Sequence, residues 1–181
     1  MDKATLRARM RGFGIVDQRD GAVVVDGLRT WLARRLPGTV AAYLAMADEV
    51  EVSGLFTELP GWRWVLPRLE ADGSITFRDS GVSREIHALG MRQPTAGGEV
   101  VPLNELDVVL VPGLAFDRTG ARLGRGAGHY DRVLSLIRRD CVSIGVTSAS
   151  RVVSVVPVEP HDRRVDWLAT EQGVMECSPN G

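Results

Sequence analysis

The chain carries two cysteines in 181 residues, Cys141 and Cys177. That number excludes a disulfide framework. Cys141 falls in an apolar, strand-like run and reads as core; Cys177 lies in the tail. No apolar stretch approaches the roughly 20 residues needed to cross a bilayer. The basic N-terminus is not followed by an apolar segment, so it does not read as a signal peptide. The expectation is a cytoplasmic protein with no membrane contact. Excess charge is missing as well: the net charge is −1 and the pI about 6.3. A general nucleic-acid binder needs a basic surplus to neutralise phosphates, so nucleic acid is not an expected partner. Internal repeats, low-complexity tracts and linkers are also lacking. What is present is an ordinary globular composition, 44% hydrophobic and 25% charged, which supports a sizeable core. The length fits one domain over residues 1–181, expected as a monomer.

Residues 3–11 are rich in helix formers, with Leu6 and Met10 four apart on one face and Lys3, Arg7 and Arg11 on another. Taken alone, the basic face reads as solvated. Residues 21–36 predict a second helix with Val24, Leu28, Trp31 and Leu32 as its stripe, ended by Pro37-Gly38. The run 39–47 reads as a buried strand. Residues 51–59 read as helix, 62–66 as a strand broken by Pro67, and 75–77 as a short strand in a stretch (71–105) otherwise dominated by loop. Strands at 107–111, 141–147 and 165–170 flank a helix at 132–139. Helices alternating with near-continuous apolar strands predict an α/β fold, a mostly parallel central sheet covered on both faces.

The densest signal runs from Val111 to Leu134, VPGLAFDRTGARLGRGAGHYDRVL. Gly124, Gly126 and Gly128 alternate with other residues, after Arg122 and before His129-Tyr130-Asp131-Arg132. Glycines let a backbone approach an anion and turn its N–H groups inward. A following helix adds its N-terminal N–H groups and the positive end of its dipole. Arg122, Arg125 and Arg132 can supply charge. No Gly-Lys-Ser/Thr follows, so this is not a P-loop, and the glycine spacing does not fit a dinucleotide fingerprint. The competing reading is a flexible surface loop, which seldom holds so many Arg, His, Tyr and Asp side chains. A local anion site in a near-neutral protein points to a small phosphorylated ligand.

Asp48, Glu49 and Glu51 follow the strand at 39–47. One of them could pair with an amine-bearing ring, or all could simply complement a helix dipole. Asp131 opens the helix after the glycines, and Asp162 sits in the Pro-bounded loop PVEPHD. Mg²⁺ is commonly held by one or two carboxylates plus substrate phosphates. Each aspartate has a plainer reading, as a cap and as a turn former. His129 and Tyr130 could stack on a flat ring, His161 has the range for acid–base work, and Gln93-Pro94 could shape a ligand-lining loop.

With these residues in view the chain resembles the 5-formyltetrahydrofolate cyclo-ligases. The resemblance covers nearly the whole length. It rests on Pro112-Gly113-x-Ala115-Phe116-Asp117, Gly120, and Arg122-Leu123-Gly124-x-Gly126-x-Gly128-His129-Tyr130-Asp131. Lys3-x-x-Leu6-Arg7, Tyr43-Leu44, Asp48-Glu49-Val50, Gln93-Pro94 and Glu159–Asp162 add to it. It implies an α/β/α sandwich of three layers and an ATP- and Mg²⁺-dependent closure of 5-formyltetrahydrofolate to 5,10-methenyltetrahydrofolate, releasing ADP and phosphate. ATP is then a co-substrate. By the same resemblance, Lys3 and Arg7 bind ATP phosphates, and Arg122, Leu123, Gly124, Arg125, Gly126, Ala127, Gly128, His129 and Tyr130 wrap the triphosphate. Leu44 and Glu49 line the folate pocket, and the loop residues Arg125 to His129 touch folate too. Arg122, Arg125 and Tyr130 are its catalytic residues, and Asp131 and Asp162 its Mg²⁺ ligands. The chain departs from the family pattern at His129, where tyrosine is usual, and at Gln93, where glutamate is common. The alternative is a relative that binds folate or nucleotide with altered catalysis, since fold alone does not guarantee function.

Overall fold

A computed structural model of the chain describes residues 2–88 and 90–178. The first helix, α1 (Lys3–Arg11), starts where the Asp2 carboxylate accepts from the Thr5 N–H at 2.8 Å. Helix α2 (Gln18–Ala33) is capped in the same way by Asp17 and buries Val24, Leu28, Trp31 and Leu32 as expected. It begins and ends three residues before the expected 21–36, because Asp17 supplies the cap and residues 34–36 turn outward, leaving Leu36 exposed. After β1 (Thr39–Ala41) come the one-turn α3 (Leu55–Glu58), β2 (Arg63–Leu69) and β3 (Ile75–Asp79). Then follow β4 (Arg84–Ile86), β5 (Arg92–Pro94), β6 (Val100–Val101), β7 (Val108–Pro112), β8 (Ala115–Asp117) and β9 (Arg122–Leu123). Helix α4 (His129–Leu136) leads to β10 (Val142–Val146), β11 (Val152–Val153), β12 (Trp167–Thr170) and β13 (Gly173–Glu176).

The main sheet has the order β13-β12-β10-β7-β1-β2-β3-β6. The five inner strands from β12 to β2 pair in parallel, and the edges are antiparallel. Successive side chains of each inner strand point to opposite faces. Val40, Trp64, Leu66, Val108, Leu110 and Ile144 pack with α2 and α3, while Ala41, Val65, Val109 and Val111 pack with Val133 of α4 on the other side. This is why the strands read as continuous apolar runs, and it makes the three layers of the expected sandwich. A smaller sheet, β11-β8-β9, carries α1 through a third cluster of Leu6, Met10, Leu114, Leu123 and Val156.

Several boundaries differ from expectation. The apolar run 39–47 is a strand only to Ala41; Tyr43 to Val50 form a loop closed by the Tyr43 hydroxyl donating to the Val50 carbonyl at 2.8 Å. Of the expected helix 51–59 only Leu55–Glu58 is helical. Pro67 does not break β2. Parallel pairing with β1 ends at Val65, so from there the strand pairs only with β3 and a residue without an N–H is tolerated. The stretch 71–105 contains β3 through β6 rather than mostly loop. The hairpin β8–β9 separates the strand at 107–111 from the glycines. Its turn is held by Asp117, buried at 3%, which accepts from Thr119 N (2.9 Å) and Val156 N (2.8 Å). The helix expected at 132–139 starts at His129, because Gly128 adopts φ 66° and turns the chain into it.

Candidate active site

Two clefts meet at the glycine-rich loop. The first is largely apolar. Leu44 and Met46 from the β1–α3 loop, Leu69 of β2, Ile75 of β3 and Met91 wall it, together with Ala127, His129 and Tyr130. The second is polar. Lys3 and Arg7 of α1, Leu123 and Gly126, and Asp131, Glu159, His161 and Asp162 border it. Arg122, Gly124 and Gly128 border both. All the residues that the family resemblance assigns to the site line one cleft or the other; Arg132, also read as a source of charge, borders neither. The division is finer than the sequence suggested. Arg125, Ala127, His129 and Tyr130 border the apolar cleft and not the polar one, and Gly126 the reverse.

In the polar cleft every anticipated metal carboxylate already holds a cation. Arg122, its side chain 5% exposed, pairs with Asp131 at 2.8 Å. Lys3 pairs with Asp162 at 2.5 Å and Glu159 at 2.9 Å. Burial pushes the Lys3 ammonium toward neutrality, but the two carboxylates outweigh it and its pKa is raised. For Asp162 burial pushes upward, yet the Lys3 bond and the Glu159 N–H bring it below its ordinary value. Arg7 Nε donates to the Gly124 carbonyl at 3.0 Å, which ties α1 to the loop. Glu159, His161 and Asp162 lie close enough for their ligand atoms to fall within 4.8 Å of one another.

At the mouth of the apolar cleft Arg125 bridges Asp48 (2.5 Å) and Glu49 (3.1 Å). Burial lowers the Arg125 pKa, but the two carboxylates outweigh it and the net shift is upward. Glu49 also accepts from the Met46 N–H at 3.0 Å. These acids sit in the β1–α3 loop, not at a helix terminus. His129 is half-buried, and burial, then the Arg132 charge, lower its pKa, so the imidazole favours its neutral form. Tyr130 is held protonated: burial and then Glu49 raise its pKa, against a smaller opposing effect of Arg122.

Two buried donors at the junction are unsatisfied among the described residues. They are the Tyr130 hydroxyl and Arg122 Nε, on side chains whose guanidinium carbon and ring centroid are 5.7 Å apart. Buried donors normally have partners, so two without one, on side chains that border the clefts, make this junction a candidate for an acceptor on a ligand.

The sequence pattern of the 5-formyltetrahydrofolate cyclo-ligase family matches residues 28–171. The chain belongs to this family. A cyclo-ligase of Mycolicibacterium smegmatis is 36% identical over 156 residues, covering 80% of each chain. One from Escherichia coli K12 is 29% identical over 180 residues, covering 94% of this chain and 99% of its own. The solution structure of 5,10-methenyltetrahydrofolate synthetase from Aquifex aeolicus superposes with a TM-score of 0.85 at 30% identity, covering 98% of this chain and 93% of that one.

Sequence reasoning did not find several parts of this candidate site. Met46, Leu69, Ile75 and Met91 shape the apolar wall but carry no motif. Gln93, read as shaping a lining loop and as a departure from the family's usual glutamate, borders the apolar cleft. It is buried, accepts from Leu69 N at 3.1 Å and donates to Glu85 at 3.1 Å, so it holds the β4–β5 hairpin on β2. The Lys3 ion pairs, across 156 and 159 residues, had no local signal at all.

Proposed function

We propose that the chain closes 5-formyltetrahydrofolate to 5,10-methenyltetrahydrofolate with ATP, releasing ADP and phosphate. The observation that carries this reading is the meeting, at Arg122 and Gly124, of an apolar cleft and a polar cleft bordered by Lys3, Arg7 and Arg122 together with Asp131, Glu159 and Asp162, beside two unpaired buried donors. The pterin and aminobenzoyl rings of the folate suit the first cleft, with Leu44 against a ring and Glu49 accepting from the pterin. A triphosphate suits the second, with Lys3, Arg7 and Arg122 as counter-charges and the loop N–H groups around it. Family membership and the likeness to a methenyltetrahydrofolate synthetase support the assignment.

The formyl oxygen attacks the γ-phosphorus, forming an O–P bond as the bond to ADP breaks. N10 then adds to the formyl carbon and gives up its proton. The C–O bond breaks and phosphate leaves with the oxygen. Such a step depends on positioning and on neutralising charge spread over phosphoryl oxygens. Arg122 meets that charge at the junction. Arg125 and the neutral Tyr130 hydroxyl donate from the folate side. Asp131 and Asp162 present hard carboxylate oxygens to one cleft, which fits Mg²⁺ held together with phosphates. Mg²⁺ bound there would neutralise triphosphate charge, and Arg122 and Lys3 would be released from the aspartates to face the phosphates.

The test is absorbance at the methenyl-folate band with purified protein, 5-formyltetrahydrofolate, Mg²⁺ and ATP. Growth of the band only with ATP supports the reading. No growth by folded protein that still binds ATP refutes it in favour of a relative with altered chemistry. Within the reading, Arg122→Ala weakens ATP binding more than folate binding; equal losses would remove Arg122 from the phosphates.

A further inference from the structure

Among the described residues Arg151 is the buried arginine beside the smaller sheet that the reaction above does not use. It is 3% exposed and closes the 3-10 turn Ala149–Arg151 between β10 and β11. No carboxylate pairs with it among the described residues. Its guanidinium instead donates to three carbonyls. Nη1 reaches Met10 O at 3.4 Å and Leu114 O at 3.3 Å, and Nη2 reaches Gly14 O at 2.8 Å. A buried cation without a counter-ion is costly, and here what offsets the cost is backbone dipoles from three separate segments. Two of those segments, the last turn of α1 and the turn after it, belong to the same structural unit. A cation at that end also complements the helix dipole.

The role of that anchor follows from what α1 carries. At nine residues α1 is too short to persist alone, so its placement depends on docking. Only Leu6 and Met10 are buried, on the small sheet. Those two apolar contacts on one stripe would by themselves leave the helix able to slide and roll, so its register rests on its polar ties, among them Arg7 to the Gly124 carbonyl. Arg151 fixes its C-terminal end to Leu114 of the β7–β8 turn, and the Lys3 ion pairs fix its N-terminal end. Lys3 lies about 10 Å along the helix from Met10 at 1.5 Å per residue, so a small slip at the anchor is carried to the cations. Lys3 and Arg7 border the polar cleft, and no residue of α1 borders the apolar one.

We infer that Arg151 is a positioning residue for ATP: it acts through α1 by holding Lys3 and Arg7 in register with the glycine loop. The inference rests on the proposed placement of the triphosphate in the polar cleft. It is tested by steady-state kinetics of Arg151→Met and Arg151→Lys, with ATP and 5-formyltetrahydrofolate varied separately and the folded fraction measured by circular dichroism. Arg151→Met is expected to raise KM for ATP about tenfold, with KM for the folate within about twofold. Arg151→Lys keeps the charge and part of the hydrogen bonding and is expected to fall between. Equal rises in both KM values, or an unchanged KM for ATP, would overturn the inference. If Arg151→Met does not fold, Arg151→Lys decides on the same two KM values. Lys3→Met and Arg7→Met separate the causes. If they raise KM for ATP while the Arg151 variants do not, the positioning role fails alone. If they leave it unchanged, the placement of the triphosphate fails first.

Discussion

Gly124→Ala tests the junction without removing any functional group. Gly124 does not adopt a positive φ, so its backbone accommodates alanine. The added Cβ would stand 2.7 Å from Arg122 Nη1 and 3.2 Å from its Cζ and Nη2. Ordinary contact begins near 3.4 Å, so the guanidinium must retreat by roughly 0.7 Å. Arg122 cannot swing freely to do so, because its side chain is 5% exposed and held by Asp131. The shift therefore displaces the one arginine that borders both clefts. Misplacement of about 1 Å costs up to roughly a hundredfold in rate. We expect kcat/KM for ATP to fall about 10- to 100-fold, or about 1.4 to 2.8 kcal/mol. Stability should change by less than about 1 kcal/mol, since the strain at Arg122 is offset by the reduced freedom of the unfolded chain. The assay pairs the methenyl-band kinetics with a thermal melt of the same preparation. A variant with wild-type kinetics would refute the placement of Arg122 at the reacting centre. A large loss of Tm accompanying the loss of activity would refute the claim that the effect is local.

Gly145→Ala in β10 should do the opposite. Its Cβ would meet Phe116 Cε1 at 2.5 Å and Leu168 Cδ2 at 2.8 Å. Overpacking of this kind costs about 1–3 kcal/mol, a fall of about 3–10 °C in Tm with kcat preserved; an unchanged melt would contradict the packing. The Lys3–Asp162 pair sets a pH window. The depressed Asp162 pKa means its contribution is present above the ordinary 3.8 and is lost as pH falls through the lower folded value. The raised Lys3 pKa means its contribution is present below 10.5 and is lost as pH rises through the higher folded value. The difference in Tm between wild type and Asp162→Asn should be flat from about pH 5 to 9 and shrink on further acidification; decay between pH 5 and 8 would count against the pair. His129 titrates below the ordinary 6.5, so KM for the folate should worsen as the imidazole gains charge in acid. His129→Tyr should remove that step, and an identical pH profile in the variant would take His129 out of the folate cleft.

What the sequence could reveal followed the range of the interactions involved. The stripe Val24-Leu28-Trp31-Leu32 and the inner strands were readable because periodicity and burial are local properties of the chain. The loop from Arg122 to Asp131 was readable because its glycines, cations and acid are contiguous. Pro67 misled because its local penalty applies to a strand laddered on both sides, and β2 loses one partner at Val65. The β4–β5 and β8–β9 hairpins are two or three residues a strand, too short for any period to register. The deepest omission is α1. From the residues alone its basic face reads as solvated, because the one acid beside it, Asp2, is spent on the helix cap and Lys3 finds Asp162 and Glu159 at the far end of the chain; only the family resemblance placed Lys3 and Arg7 at the phosphates. The same holds for Arg151, which meets only carbonyl oxygens, and a carbonyl is present at every residue. An arginine bound to side chains leaves a pattern of charges in the sequence. One bound to backbone leaves none, and its purpose becomes visible only when the helix it anchors is seen to carry the cations of the polar cleft.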